Sequence, residues 1–344
     1  MKLNKRALWG RAFYNAFHKE SAQRNMNNLT EYAESKGMDM FDYKTLEKSL
    51  ENQENINEML LHDLVNMIKE QYDLTSAFKV SAVFRDREDH NASIEKENSE
   101  DAEYIIFMDD ILDSCIFSLI VSLIYWNENK DDHGICEKCF RYMIFVLTEY
   151  GEKRTRPATP VWVHDMEIEM LAYSDKITPI LTDAQLIIIT FIMAHEIGHA
   201  VMGHHSSLGR NIEDEYAADD FAYRVILSMI EKQSLAILEK GERPEIDMYS
   251  DYTYLVPLMF FDFMQLIEDF RNCVYDNYCW ENATKELAAR KIHLEAWVYD
   301  SPDDYTFDTS EGNKLYNAVL NSIERFTDEM KRKLRQGESF VPET

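Results

Sequence analysis

Residues 191–205 read FIMAHEIGHAVMGHH, in which four histidines and a glutamate follow a long apolar helical run. His195 and His199 are four positions apart, so a helix carries both imidazoles on one face, close enough to share a metal ion. Glu196 completes the HExxH spacing, in which the carboxylate takes a proton from water that the metal activates. The stretch therefore predicts a buried helix that ends in a zinc site.

A catalytic zinc needs a third protein ligand and an open position for water. The favoured candidate is Glu215, which opens the segment EYAADDFA (215–222) at the start of the next predicted helix. Asp219 lies one turn further on the same face, where it would hydrogen-bond a ligand histidine. His205 is the alternative third ligand by the HExxHxxGxxH spacing, although Met202 occupies the position that requires glycine.

Apolar periodicity outside the motif predicts a mainly α fold with a small β element, of the α+β class. AFKVSAVF (77–84) and EYIIFMD (103–109) read as two strands of a hairpin with a long charged loop between them. The expected organisation is a helical N-terminal region over 1–75, a zincin-like core over 76–300, and a C-terminal turn with an amphipathic helix over 301–344.

The composition limits the partners of the chain. Its formal net charge of −27 opposes binding to nucleic acids and anionic membranes, because both need lysine and arginine. Five cysteines, an odd number in 344 residues, favour reduced thiols in the cytoplasm. The longest apolar runs, 115–126 and 184–194, are shorter than the roughly 20 residues that span a bilayer. We therefore expect a cytoplasmic protein with a protein or peptide substrate, preferably a basic one.

The paired motifs HEIGHAVMGH and EYAADDFA resemble the HExxH…ExxADxxA signature of the M48-type gluzincin peptidases and of bacterial cytosolic relatives such as the phage-exclusion peptidase Lit. YIIFMDDIL (104–112) also resembles the strand and helix that precede the active-site helix in those enzymes. The resemblance implies that His195, His199 and Glu215 bind one Zn²⁺ per chain, that Glu196 is the general base, and that Asp219 orients a ligand. It also implies a regulated defence or stress protease with an activating trigger protein.

The sequence departs from the M48 pattern after the second motif. Many of those enzymes carry a later His-Pro and Arg segment near the active site, whereas AARKIHLEAW (288–297) has Arg290 and His293 in another order and no proline. The residue that stabilises the oxyanion therefore stays open between His293, Arg290, Tyr252 and Tyr223.

The resulting functional prediction is a zinc-dependent endopeptidase with Glu196 as the base. The EYIIFM strand is a candidate edge for an extended substrate, and Ile106→Pro should then abolish cleavage while zinc stays bound. Two alternatives remain: a non-catalytic protein in which zinc only braces two helices, and a helical adaptor whose histidines are satisfied in the core. Neither alternative needs Glu196.

Overall fold

The structure, a computed structural model, describes most of the chain after residue 58. The described residues are 59–85, 92–96, 103–152, 178–204, 211–239, 254–274, 281–300 and 310–338, with residues 162, 163, 165, 166, 169 and 170. The predicted helices of the first 58 residues lie outside this set.

Most described residues are helical, which confirms the predicted fold class. The helices occupy the stretches in which apolar residues recur at helical spacing. In chain order they are α1 (59–71), α2 (Asp110–Glu128), α3 (His133–Glu152), α4 (Thr178–Met202), α5 (Ile212–Glu239), α6 (Val256–Val274), α7 (Glu281–Asp300) and α8 (Ser310–Arg335).

The β element is a three-stranded sheet in the order β1-β3-β2. Strand β3 (Glu103–Asp109) pairs in parallel with β1 (Lys79–Arg85) and antiparallel with β2 (Ala92–Lys96). The side chains of residues 104–108 are all buried. Such an uninterrupted apolar run is typical of a central strand that is covered on both faces.

Two predictions about this sheet were wrong. β1 and β3 do not form a hairpin, because they run parallel and the chain between them contributes β2. The EYIIFM strand is not an edge either: Ile106 pairs with Ala82 on one side and with Ile94 on the other. It cannot accept a substrate strand, so Ile106→Pro would disrupt the sheet itself.

The chain divides into two compact units. The first comprises Met1–Leu112 with Arg154–Ile168 and contains the sheet, and the second comprises Asp113–Lys153 with Glu169–Thr344. Within the first unit, Val83, Ile105 and Phe107 form a buried apolar cluster on the sheet. The division at residues 75 and 300 that the sequence suggested stays a prediction.

The second unit is built around α4. Every side chain from Ile188 to Ala200 is buried, and α4 packs against both α5 and α6. A helix that is apolar on all sides is stable only when other elements surround it. Helix α7 packs against α5 and α6, and α8 packs against α6. The histidine motif therefore lies on the most enclosed helix of this unit.

One stretch of α4, Ala184–Met202, is long and apolar enough by length and composition to cross a membrane. It extends further than the run that the sequence analysis considered. Most of this stretch is buried against other parts of the protein, and core helices of soluble proteins pass the same test.

Candidate metal centre

The two histidines of the HExxH motif converge at the C-terminal end of α4. Both side chains are buried, and the Nε2 atoms of His195 and His199 are 3.1 Å apart. Residues four positions apart on a helix are neighbours on one face, which accounts for the approach of the two rings. This face of α4 therefore presents two ligand nitrogens to the same point.

Helix α5 contributes a carboxylate to that point from its first turn. The Oε2 atom of Glu215 lies 3.3 Å from Nε2 of His195, and its Oε1 atom lies 3.5 Å from Nε2 of His199. Among the described residues, these three buried side chains form a group whose ligand atoms all lie within 4.8 Å of one another. The cluster could hold a metal ion.

The donor set and its spacing fit zinc. Zinc binds nitrogen and oxygen ligands at about 2.0–2.2 Å, and tetrahedral ligands at that distance are about 3.3 Å from each other. The three separations in the cluster, 3.1, 3.3 and 3.5 Å, match this value. Two histidines and a glutamate also form one of the known catalytic zinc sets, which leave a fourth position for water.

Small residues allow α4 and α5 to approach closely enough for these contacts. A Cβ atom on Gly198 would lie only 3.0 Å from the ring of Phe221 on α5. Ala218 and Ala222 on α5 are completely buried. Because a larger side chain at Gly198 would push the helices apart, this glycine keeps Glu215 within reach of the histidines.

Asp219 lies beside the predicted ligand His195, one turn after Glu215. Its Oδ1 atom is 2.8 Å from Nδ1 of His195, and its side chain is completely buried. A hydrogen bond at Nδ1 fixes the ring so that Nε2 faces the cluster. The structure thus brings together the three predicted ligands and Asp219, which the sequence analysis expected to orient one of them.

Arg290 on α7 joins two of these carboxylates, a contact that the sequence analysis did not predict. Its Nε and Nη2 atoms donate hydrogen bonds of 2.8 and 2.7 Å to the carboxylate of Asp219, and its Nη1 atom lies 3.1 Å from Oε2 of Glu215. Its guanidinium also stacks over Phe261. With its donors engaged in this way, Arg290 is a poor candidate for stabilising an oxyanion.

The electrostatics of the cluster keep its two carboxylates ionised. Burial opposes ionisation of Glu215, but hydrogen bonds with His195 and His199 and the charge of Arg290 hold its pKa well below the usual range. Burial also opposes ionisation of Asp219, but the charge and the hydrogen bonds of Arg290 lower the pKa of Asp219 below its usual value. For His195, burial lowers the pKa, but the adjacent Asp219 carboxylate outweighs this and raises it to about 9. Two ionised carboxylates thus lie next to the converging nitrogens.

Glu196 lies on α4 between the two histidines and is also buried, with 3% of its surface exposed. Burial of an acidic side chain carries a large desolvation cost, so such residues are kept mainly where they have a partner or a function. Glu196 immediately follows His195 in the sequence, so its carboxylate belongs to the same turn of α4 as the first histidine of the cluster.

His293 lies one turn after Arg290 on α7, on the side that faces α5. Its Nε2 atom is 2.9 Å from Oδ1 of Asp220, and its ring stacks on Tyr216 with 4.3 Å between the centroids. Asp220 and Tyr216 flank the residues of the cluster in the α5 sequence. The imidazole is therefore fixed in orientation and remains partly exposed.

Tyr223 and Tyr252 were the other candidates for stabilising the oxyanion, and His205 was the alternative third ligand. Tyr223 is completely buried, and its hydroxyl donates to the backbone carbonyl of Tyr254 at 3.4 Å, so it belongs to the core. Tyr252 and His205 lie outside the described residues. Glu215 completes the described cluster without His205.

Comparison with known proteins supports a hydrolytic role for this region. No curated protein and no solved structure matches the chain. The sequence model of one family, Peptidase U49, matches residues 138–252. The matched segment contains both histidines, Glu196, Glu215 and Asp219. The match covers about a third of the chain, and this segment is similar to that peptidase family.

Proposed function

We propose that this protein is a zinc-dependent endopeptidase that uses Glu196 as its general base. The observation that carries the proposal is the buried convergence of His195, His199 and Glu215 around one point, with Glu196 on the same helix. A purely structural zinc site has no use for Glu196 and usually has four protein ligands. The similarity of this segment to a peptidase family also supports the proposal.

Each residue has a distinct task in the proposed reaction. His195, His199 and Glu215 would hold the metal, which supplies Lewis acidity toward the substrate carbonyl and toward water. Glu196 would accept a proton from the attacking water and deliver it to the leaving amide nitrogen. Asp219 and Arg290 would keep the ligands in place, because both contact the cluster directly.

The proposal is tested by incubating purified, zinc-loaded protein with a panel of peptides that are matched in length and differ in charge. We expect hydrolysis that a chelator stops and added zinc restores, with the lysine-rich peptides cleaved fastest because the chain is acidic. Cleavage that continues after complete removal of the metal would contradict zinc dependence.

We further propose that His293 stabilises the negative charge on the carbonyl oxygen during attack. Its Nε2 faces Asp220, so its Nδ1 atom remains to act as a donor when the ring is protonated. His293→Ala should lower kcat by about a hundredfold, with little change in KM and with zinc retained. Steady-state kinetics and metal analysis measure these quantities. An unchanged kcat, or loss of zinc, would contradict this role.

A regulated defence function, activated by a trigger protein in the cytoplasm of a bacterium, is a further proposal. It rests on the resemblance of the paired motifs to Lit. The buried site is consistent with an enzyme whose activity depends on another molecule. Protein cleavage measured in cells that express this chain, with and without phage infection, would test this dependence.

A further inference from the structure

The end of α4 forms a cap that directs the next histidine back toward the metal centre. Gly203 has a φ of +79°, a left-handed conformation that glycine adopts without strain. The backbone N–H of His204 donates a 2.9 Å hydrogen bond to the carbonyl of His199. These are features of a Schellman motif, in which the residue after the glycine folds back onto the last turn of the helix.

The cap brings the side chain of His204 into contact with His199. The Nδ1 atoms of the two imidazoles are 3.3 Å apart, and the ring centroids are separated by 5.5 Å. Since Nε2 of His199 faces the cluster, its Nδ1 is the nitrogen that carries the proton, and Nδ1 of His204 is the acceptor.

The start of α5 fixes the other side of His204. Asn211 accepts a 2.8 Å hydrogen bond from the backbone N–H of Asp214, while Oδ2 of Asp214 lies 3.4 Å from the backbone nitrogen of Asn211. This reciprocal arrangement is a capping box. The remaining oxygen, Oδ1 of Asp214, lies 3.4 Å from Nε2 of His204.

We propose that His204 is a positioning residue for the metal centre, and that Asp214 holds it in place. His199 donates through Nδ1 to His204, and His204 directs its Nε2 proton to Asp214. This relay fixes His199 in the tautomer that leaves Nε2 for the metal. The inference rests on the metal site of the proposed function and assigns a role to two residues outside the ligand set.

The relay also joins the two helix ends that bear the ligands. His199 lies in the last turn of α4, and Glu215 lies in the first turn of α5. A contact between His204 in one cap and Asp214 in the other limits the separation of those turns. Each predicted ligand histidine then has its own partner at Nδ1: Asp219 for His195, and His204 for His199.

The test measures metal affinity instead of cleavage. Zinc affinity is determined for the full-length protein by competition with a chromophoric chelator, and the geometry is read from the absorption bands of the cobalt(II)-substituted protein. His204→Phe retains a ring but removes the acceptor, whereas His204→Asn retains an acceptor near the position of Nδ1. His133→Phe alters an exposed histidine at the start of α3 and serves as the control.

We expect His204→Phe to weaken zinc binding by about tenfold to a hundredfold and to alter the cobalt bands. His204→Asn should remain close to wild type, and the control should not change. Wild-type affinity and spectrum in His204→Phe, or an equal loss in both His204 variants, would overturn the inference. If His204→Phe does not fold, Asp214→Ala takes its place: weaker zinc binding supports the relay and unchanged binding overturns it.

Failure of this inference is distinguishable from failure of the proposed function. A wild-type protein that binds zinc through the relay but cleaves no peptide would refute the endopeptidase and leave the positioning role intact. A wild-type protein that binds no zinc would refute both.

Discussion

Glu196→Gln is expected to lower the rate of peptide cleavage by about a hundredfold to ten-thousandfold, while the protein still folds and binds zinc. Glutamine has almost the same shape as glutamate but cannot accept the proton of the attacking water. Because the side chain is buried on the motif helix, the substitution also removes a charge from the interior, so folding should be preserved or improved. Single-turnover kinetics and metal analysis on the same preparation measure both quantities.

Glu213→Gln provides the matched control for this experiment. It makes the same chemical change at an exposed position in the first turn of α5, two residues before Glu215. We expect its cleavage rate to equal that of the wild type. If Glu196→Gln cleaved as fast as this control, the general-base role would be wrong, and the alternative of a non-catalytic protein with two zinc-braced helices would gain support.

Arg290→Met should destabilise the metal-free protein by about 3–5 kcal/mol, because it removes a buried guanidinium from two buried carboxylates. Methionine keeps much of the contact with Phe261 that the arginine side chain makes. In the zinc-loaded protein the loss should be smaller, since the charge of the metal compensates Glu215 and Asp219 in part. Urea unfolding of both forms gives the two free energies of unfolding.

Arg271→Met is the control for the loss of a buried ion pair that includes no residue of the cluster. Arg271 has 12% of its side chain exposed, against 13% for Arg290, and its Nη1 atom lies 2.9 Å from Glu268 within α6. The control should lose the same stability with and without zinc. An Arg290→Met variant that behaved in this way would show that the guanidinium does not act on the metal centre.

The sequence predicted the features of the site that depend on local periodicity. His195 and His199 share a face because a helix repeats every 3.6 residues, and Glu215 and Asp219 share one for the same reason. The structure adds that a Cβ atom at Gly198 would lie only 3.0 Å from the ring of Phe221. The shared faces follow from the helical repeat alone, without any contact between distant parts of the chain.

The missed features depend on contacts between distant parts of the chain. Arg290 reaches Asp219 across 71 positions, and no local pattern distinguishes it from an arginine on a solvated face. The short strand β2 was missed because its side chains are only partly buried and it lies within a charged loop. The role of His204 depends on the left-handed conformation of Gly203, which the HExxH motif itself does not indicate.

The most direct test of the central claim is the metal content of protein purified without chelator, determined by mass spectrometry for wild type, His199→Ala and Glu215→Ala. We predict about one zinc per wild-type chain and its loss in both variants, because three protein ligands are needed to retain it. Absence of zinc from the wild type even after reconstitution, or its retention in Glu215→Ala, would contradict the assignment of His195, His199 and Glu215 as the metal ligands.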